Sequence, residues 1–346
     1  MRIGIVGFSQ CGKSTLFTAL TAQRPDPASG LKGQVGVAKV KDERLDFLSQ
    51  LFHPKRTVHA TVEFLDTPGL IRGEHADNAH RLAVLRTADA LLVVLVGFTG
   101  ASDPAGELVS FREELLFADL AIVTGRIEKL EAAAKKPRPH AERERDEKEL
   151  GELKIVLQRL ERFESIRTAQ FSDDVARIVR SFQLFSLKPE LVIVNCSEDD
   201  VAQPVGPAVV SLCPHVLAAA VKLELDLEEL PDDERTAFMK EMGVSELARD
   251  KIIRAAYDAA GLISFFTIDG DECRAWSLPR GGSALDAAAK VHTDIARGFI
   301  RAEVVAFEDL RRLGSMKEVK AKGLARLEGR EHVIKDGDIV HFRFSV

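Results

Sequence analysis

The run Gly7-Phe-Ser-Gln-Cys-Gly-Lys-Ser14 has the spacing GxxxxGK[ST]. Glycines in such a run let backbone N–H groups close around phosphate oxygens, and the start of a following helix favours the anion. Lys13 would reach the β- and γ-phosphates, and the Ser14 hydroxyl would coordinate Mg²⁺. Ser9, Gln10, Cys11, Gly12, Lys13, Ser14 and Thr15 are thus the expected phosphate-binding residues. A second element, Asp66-Thr-Pro-Gly69, reads DxxG. An aspartate there holds Mg²⁺ through water, and Gly69 lets a backbone N–H approach the γ-phosphate. Lys13, Asp66 and Gly69 are therefore the expected catalytic residues, with Ser14 and Asp66 as metal ligands. DxxG after GxxxxGK[ST] points to a nucleotide switch among proteins with such a loop.

A third element, Asn195-Cys-Ser-Glu198, stands where guanine readers carry NKxD. The aspartate of that pattern accepts from guanine N1–H and the N2 amine. Glu198 carries its carboxylate one methylene further out, and Cys196 replaces the lysine. Adenine offers an N6 donor but an N1 acceptor that repels a carboxylate. Asn195 and Glu198 are the expected base contacts, with ATP and GTP both open. Leu70 occupies the place where many small GTPases have a catalytic glutamine, and a leucine cannot orient water. Arg72, His75 and His80 lie nearby as candidate helpers, and each also reads as a solvated loop residue.

These groups need strands and helices to hold them. Arg2–Val6, Ala60–Leu65, Ala90–Val96 and Leu191–Asn195 read as buried strands, with helical patterns such as Lys13–Ala22 and Ala79–Thr87 between them. Runs apolar on both faces suit a parallel sheet covered by helices, so the class is α/β. Leu116, Leu120, Val123, Ile127, Leu130 and Ala134, then Leu150, Leu153, Leu157 and Leu160, repeat at helical spacing around Lys135-Lys-Pro-Arg-Pro-His140. The two prolines predict a turn, and the repeats predict a helical hairpin zipped along an apolar seam. Glu142–Glu149 reads as its solvated face. Further on, Asp269-Gly270 and Asp336-Gly337 are hairpin signals, and Ser283 to Asp286 is a capping-box start for a helix to about His292.

Composition narrows the rest. The 346 residues are 45% apolar and 29% charged with net charge −6, which excludes a disordered chain and a bulk polyanion binder. The longest apolar run, Ala90–Phe98, is about half of what spans a membrane. The apolar start is too short for a signal peptide. Four cysteines without a CxxC pair fit a reducing compartment. Arg311–Lys322 carries five bases and one acid, a short stretch that could meet RNA phosphates or simply be solvated helix. No cysteine or carboxylate spacing supports a metal at His292 or His341.

With these residues in hand, the chain resembles the YchF/Obg-like ATPase family of translation-factor-class P-loop NTPases, nearly end to end. The carriers are Gly7–Thr15, Asp66–Leu70, Asn195–Glu198, Arg274–Pro279, His292–Val304 and Asp336–Phe344. The resemblance implies a P-loop G domain over residues 1–103 and 187–260 and an inserted helical hairpin over 104–186. It also implies a ubiquitin-like β-grasp (TGS) domain over 261–346. It implies Mg²⁺-dependent hydrolysis of ATP, with GTP as a further substrate, and association with ribosomes or another RNA–protein particle. A cytoplasmic, membrane-free monomer is expected. NxxE is the family's own base-recognition variant, which carries over to Asn195 and Glu198. Ser9-Gln10 stands where the family has Pro-Asn, an asparagine linked to K⁺ use, so the resemblance implies K⁺ as a cofactor only if Gln10 can replace that asparagine. Gly30 falls where the first switch usually has a Mg²⁺-facing threonine, and the loop after DxxG is short. Gly30 and Leu70 together also fit a nucleotide-sensing scaffold without appreciable hydrolysis. A small-molecule kinase is disfavoured because no acceptor pocket is evident.

Overall fold

A computed structural model describes residues 1–26, 33–162, 173–201, 203–241 and 246–345, so Gly30 lies outside the described residues. The chain opens with β1 (Arg2–Val6), α1 (Lys13–Thr21), β2 (Gln34–Lys39), α2 (Glu43–Phe52), β3 (Arg56–Val58) and β4 (Thr61–Asp66). It continues with α3 (His75–Leu85), β5 (Ala90–Val96), α4 (Pro104–Ala134), α5 (His140–Glu161), α6 (Asp173–Ser181) and β6 (Glu190–Asn195). Then come α7 (Pro207–Leu212), β7 (Val216–Ala219), α8 (Val221–Glu229), α9 (Asp232–Glu241) and α10 (Ala248–Ala259). The last part holds β8 (Leu262–Asp269), β9 (Glu272–Pro279), α11 (Ala284–Val291), α12 (Thr293–Arg297) and β10 (Phe299–Ala306). It ends with α13 (Phe307–Leu313), α14 (Met316–Ala321), β11 (Arg326–Glu328) and β12 (Asp338–Phe344). The protein is an α/β chain with two six-stranded sheets.

The first sheet runs β2-β4-β1-β5-β6-β7. Strand β1 pairs in parallel with β5, β5 with β6, and β6 with β7. Succession from β1 runs to one side through β4, and from β5 to the other. The loop after β1 therefore opens where the strand order reverses, the usual ligand position of such sheets. β5 is apolar throughout because helices cover both its faces.

Asp103 caps α4 by accepting from the Gly106 N–H, and Pro104 starts the helix where its missing N–H costs nothing. α4 and α5 zip along Val123, Ile127, Leu130, Leu153, Val156 and Leu160, with Leu116, Leu120, Leu150 and Leu157 alongside. Arg126 clamps Glu149 across the seam with bonds of 2.7 and 2.9 Å. The expected hairpin is thus present, turning at the two prolines.

The second sheet runs β11-β10-β12-β8-β9-β3. β8 and β9 form the antiparallel hairpin signalled by Asp269-Gly270, and Ser283 and Asp286 complete a capping box on α11. The second hairpin signal is corrected. His332–Ile334 is not a strand; β12 pairs antiparallel with β10 and parallel with β8. The Asp336 carboxylate accepts from the Ser264 N–H and from Arg44, and the Gly337 N–H donates to Ser264. The Asp-Gly pair is thereby spent on anchoring the entry of β12 beside β8.

By compactness the chain divides into Met1–Gly36 with Phe64–Ala248, and Val37–Glu63 with Arg249–Val346. Residues 37–63 belong with the second sheet because β3 pairs with β9 (Arg56 opposite Glu272) and Arg44 stacks on Phe266. Among the described residues no helix is long and apolar enough to cross a membrane.

Candidate nucleotide-binding site

The loop after β1 is shaped by contacts that only certain residues permit. Gly12 has φ +99°, and a Cβ there would lie 2.4 Å from Asn195 Nδ2. Gly69 is closed in on the other side, since a Cβ would lie 2.7 Å from Ser9 Cα and 2.9 Å from Lys13 Nζ. The two motifs are also joined by backbone: Ser9 N–H donates to Leu70 at 3.0 Å, and Leu70 N–H to Gly7 at 3.1 Å. The floor of the site is therefore a single piece made from both motifs.

Lys13 is only 6% exposed, and its Nζ donates to the Phe8 carbonyl at 2.6 Å. This bond aims the ammonium along the inside of the loop. Ser14 Oγ donates to Asp66 Oδ2 at 3.1 Å, while Asp66 Oδ1 is buried with no hydrogen-bond partner among the described residues. Burial pushes the Asp66 carboxyl up, against the Ser14 hydroxyl, the Lys13 charge and the Thr67 amide, which pull it down. A buried, unsatisfied carboxylate oxygen beside a hydroxyl fits a hard cation that takes oxygen ligands, so these residues suit Mg²⁺. A cavity of about 400 Å³ lined by Ser9, Gln10, Lys13, Ser14, Asp66 and Gly69 lies above them.

The other expected residues separate. Cys11 lies fully buried beneath the loop, and burial raises its thiol. Thr15 is half-buried on the first turn of α1. Asn195 is buried: its Nδ2 donates to Cys11 O at 3.0 Å and its Oδ1 accepts from Val221 N–H at 3.3 Å. Its side chain braces the phosphate loop against α8. Glu198 is exposed beyond the end of β6. Cys196 is buried, so it presents no stem to a purine face.

Leu70 is 3% exposed and packs with Val6, Phe8, Leu82 and Phe111, directed into the core. Arg72 lies over the Phe8 ring at 4.8 Å. His75 turns to α4, where it meets Glu114 and the Phe117 ring, and His80 is exposed on α3. His292 Nδ1 caps α12 by accepting from Asp294 N–H.

Three further residues act here and were not expected. Arg81 donates to the Gly69 carbonyl at 2.7 Å. Glu107 is buried behind the loop, where its carboxylate accepts from Val96 N–H at 3.0 Å. Glu114 holds the segment after DxxG. The only sequence signal for the two glutamates was acidic residues on the apolar face of a helix.

Comparison with known proteins follows from this geometry. The family model described as 50S ribosome-binding GTPase matches residues 2–124. The YchF GTPase C-terminal model, described as a protein of unknown function (DUF933), matches residues 262–345. The ribosome-binding ATPase YchF of Bacillus subtilis (strain 168) is 35% identical over 370 residues, covering 99% of each chain. That of Escherichia coli O157:H7 is 33% identical over 372 residues, covering 100% of this chain and 99% of its own. Among solved structures, the YchF GTPase of Schizosaccharomyces pombe superposes with a TM-score of 0.85 at 28% identity, covering 99% of this chain and 97% of its own.

Proposed function

Since the chain belongs to the YchF family, we propose that it is a Mg²⁺-dependent purine-nucleotide switch that binds and slowly hydrolyses ATP, with GTP as a second substrate, and acts on ribosomes in the cytoplasm. The observation that carries this reading is the Ser14–Asp66 pair with its unsatisfied buried oxygen, set beside Lys13 in one cavity. No arrangement of a merely structural turn calls for a buried ammonium and a buried, half-satisfied carboxylate at the mouth of a glycine loop.

Residue roles follow. Backbone N–H groups from Gln10 to Thr15 hold the α- and β-phosphates, the Ser9 N–H being taken by the Leu70 carbonyl, and Lys13 swings from the Phe8 carbonyl to the β- and γ-oxygens. Ser14 and Asp66 would hold Mg²⁺, the hydroxyl and the carboxylate supplying oxygen ligands. When bound, Mg²⁺ supplies neutralisation of the charge shared by the β- and γ-phosphates. The Gly69 N–H faces the γ-phosphate, fixed from behind by Arg81 on its carbonyl. Asn195 keeps the loop in shape, and Glu198 meets the base edge. With Leu70 in the core, water is oriented by backbone and phosphate, which accounts for a slow intrinsic rate. The ribosomal role rests on the relatives named ribosome-binding ATPase. K⁺ use would require Gln10 to stand in for the family's asparagine.

The burial of Leu70 favours one alternative, a nucleotide-sensing scaffold that does not turn over. Calorimetric titration of ATP, GTP and ADP in Mg²⁺ buffer, with steady-state hydrolysis measured with and without ribosomes, decides. Tight Mg²⁺-dependent binding with ribosome-stimulated phosphate release supports the switch. Binding without phosphate release in either condition supports the scaffold, and absence of binding overturns both.

A further inference from the structure

The segment that follows DxxG has no cap of its own. α3 begins after Glu74, whose side chain makes no capping bond. A carboxylate from another helix instead ties down the residues around that start. Glu114, 6% exposed on α4, accepts from the Gly73 N–H at 3.0 Å through Oε1. Its Oε2 accepts from Asn78 Nδ2 at 2.9 Å and lies 2.9 Å from His75 Nδ1. Asn78 is 1% exposed and closes the ring: its Oδ1 accepts from Ile71 N–H at 3.0 Å, and its Nδ2 also donates to Ile71 O at 2.7 Å.

Upstream, the same segment is bonded to the phosphate loop through Leu70. Gly69 and Leu70 therefore stand between two fixed points, the glycine loop and the Glu114 ring. Three donors converge on one buried carboxylate, and its loss would release the Gly73 N–H and the His75 ring and leave Asn78 Nδ2, buried, with the Ile71 carbonyl alone. A second anchor lies further along α4, where Asp119 accepts from Arg86 at 3.2 Å and from the Phe185 and Ser186 N–H groups at 3.0 and 2.9 Å. α4 then runs on as the first arm of the helical hairpin.

We infer that Glu114 is a positioning residue: through Gly73, His75 and Asn78 it holds the Gly69 N–H in place for the γ-phosphate, so that the helix carrying the hairpin arm sets how well the site recognises a triphosphate. This rests on the nucleotide-switch reading above. It adds a residue that touches neither nucleotide nor metal. Its consequence is selective. Losing Glu114 loosens the contact unique to the γ-phosphate and leaves the loop that grips the α- and β-phosphates unchanged.

The test uses the full chain with Mg²⁺. The affinities for ADP and for a non-hydrolysable ATP analogue are measured, together with single-turnover ATP cleavage and amide hydrogen exchange over residues 71–80. Glu114→Ala is expected to weaken the triphosphate analogue about tenfold while ADP changes less than twofold, to slow cleavage at least tenfold, and to speed exchange over 71–80 about tenfold. Glu114→Gln keeps an acceptor for the Gly73 N–H but sets an amide NH₂ against Asn78 Nδ2, and is expected to fall between Glu114→Ala and the parent in all three readouts. His75→Ala, at an exposed position, is expected to show the same pattern at lower amplitude and covers the case in which Glu114→Ala fails to fold. Faster exchange with an unchanged triphosphate-to-diphosphate ratio would make the network packing only and overturn the inference, as would unchanged exchange. A parent that binds both nucleotides but never cleaves ATP counts against hydrolysis alone, because the affinity ratio still decides the role of Glu114.

Discussion

The phosphate end and the base end of the site are built on different terms. At the phosphate end, two motifs share backbone bonds, Lys13 and the Oδ1 atom of Asp66 are withdrawn from solvent, and Gly12 and Gly69 tolerate no side chain. At the base end, Glu198 is exposed, Cys196 is turned inward, and the two polar atoms of Asn195 are already bonded to Cys11 and Val221. Preorganised groups hold their geometry before the ligand arrives, whereas exposed ones must be ordered by it. On the proposed reading, the site is therefore expected to be strict about phosphates and lenient about bases.

The largest expected effect breaks the strict end. Lys13→Ala removes charge-assisted bonds to the β- and γ-phosphates, each of about 1.5–3 kcal/mol. Two such bonds correspond to a loss of triphosphate affinity on the order of 10²–10⁴-fold. Calorimetric titration measures it. Thermal denaturation without nucleotide is expected to stay within a few degrees of the parent, because among the described residues the protein acceptors of Nζ are the Phe8 carbonyl and the Cys11 sulfur. Retained ATP affinity would remove the phosphate-site assignment.

Next in size is Leu70→Gln, which puts the usual GTPase glutamine back. On sequence grounds alone it would be expected to speed hydrolysis. Because Leu70 packs into the core with Phe8 and Phe111, the amide is instead buried without partners. The expected outcome is a stability loss of about 1–3 kcal/mol and no gain in single-turnover rate. A faster enzyme would show that the strict end repacks more freely than its bonding implies.

This case marks where sequence reading stops. The glycine loop, DxxG and hairpin were legible because each rests on spacing along a short stretch. Leu70's departure from glutamine was legible as well, but its direction was not. Side-chain direction here depends on β5, α3 and α4, none adjacent to it in the chain. Glu107 and Glu114 were hidden for the same reason: an acid on an apolar helix face reveals itself only once the N–H groups it serves are placed. Asn195 shows the converse. Its motif was recognised, yet its side chain braces the loop instead of lying open to the base. Arg56–Val58 is too short for any periodicity, so its place on the second sheet was set by pairing with β9 alone.

A smaller effect is expected from pH, again behind the phosphates. Burial raises the Glu107 carboxyl, against the pull of the Val96 amide and the Arg72 and Lys13 charges. A carboxyl raised in the folded state contributes stability that is fully present below its unfolded value and lost as pH rises through the folded one. At neutral pH the buried carboxylate is therefore a cost. Glu107→Gln keeps an acceptor for Val96 and is expected to raise the melting temperature at pH 7–8 by a few degrees, with the difference vanishing on acidification into the glutamate range. Glu114, lowered by Asn78, Gly73 and His75 in spite of its burial, has the opposite sign: its contribution is present at neutral pH and lost as pH falls. Glu107→Gln melting below the parent at pH 8 would reverse the assignment.

The smallest effect is the one that sharpens the comparison most, because it tests the lenient end directly. Adenine and guanine nucleotides are expected to bind within about tenfold of each other, or with ATP ahead. Tenfold is about 1.4 kcal/mol, less than a well-placed pair of charge-assisted hydrogen bonds supplies. An aspartate at position 198 would gain such a pair with guanine N1–H and N2 only. Glu198 carries its carboxylate a methylene further on an exposed side chain, so holding a fork costs it more rotamer entropy. Cys196, buried, leaves the purine face without the aliphatic cover that lysine gives. Glu198→Asp is therefore expected to shift preference toward GTP by about threefold to tenfold and no further, because Cys196 remains. Adding Cys196→Lys is expected to move it again in the same direction. Parallel titrations of ATP and GTP against the parent and both variants measure this. A parent preferring GTP a thousandfold would mean that Glu198 is ordered as firmly as Lys13, and the contrast between the two ends of the site would disappear.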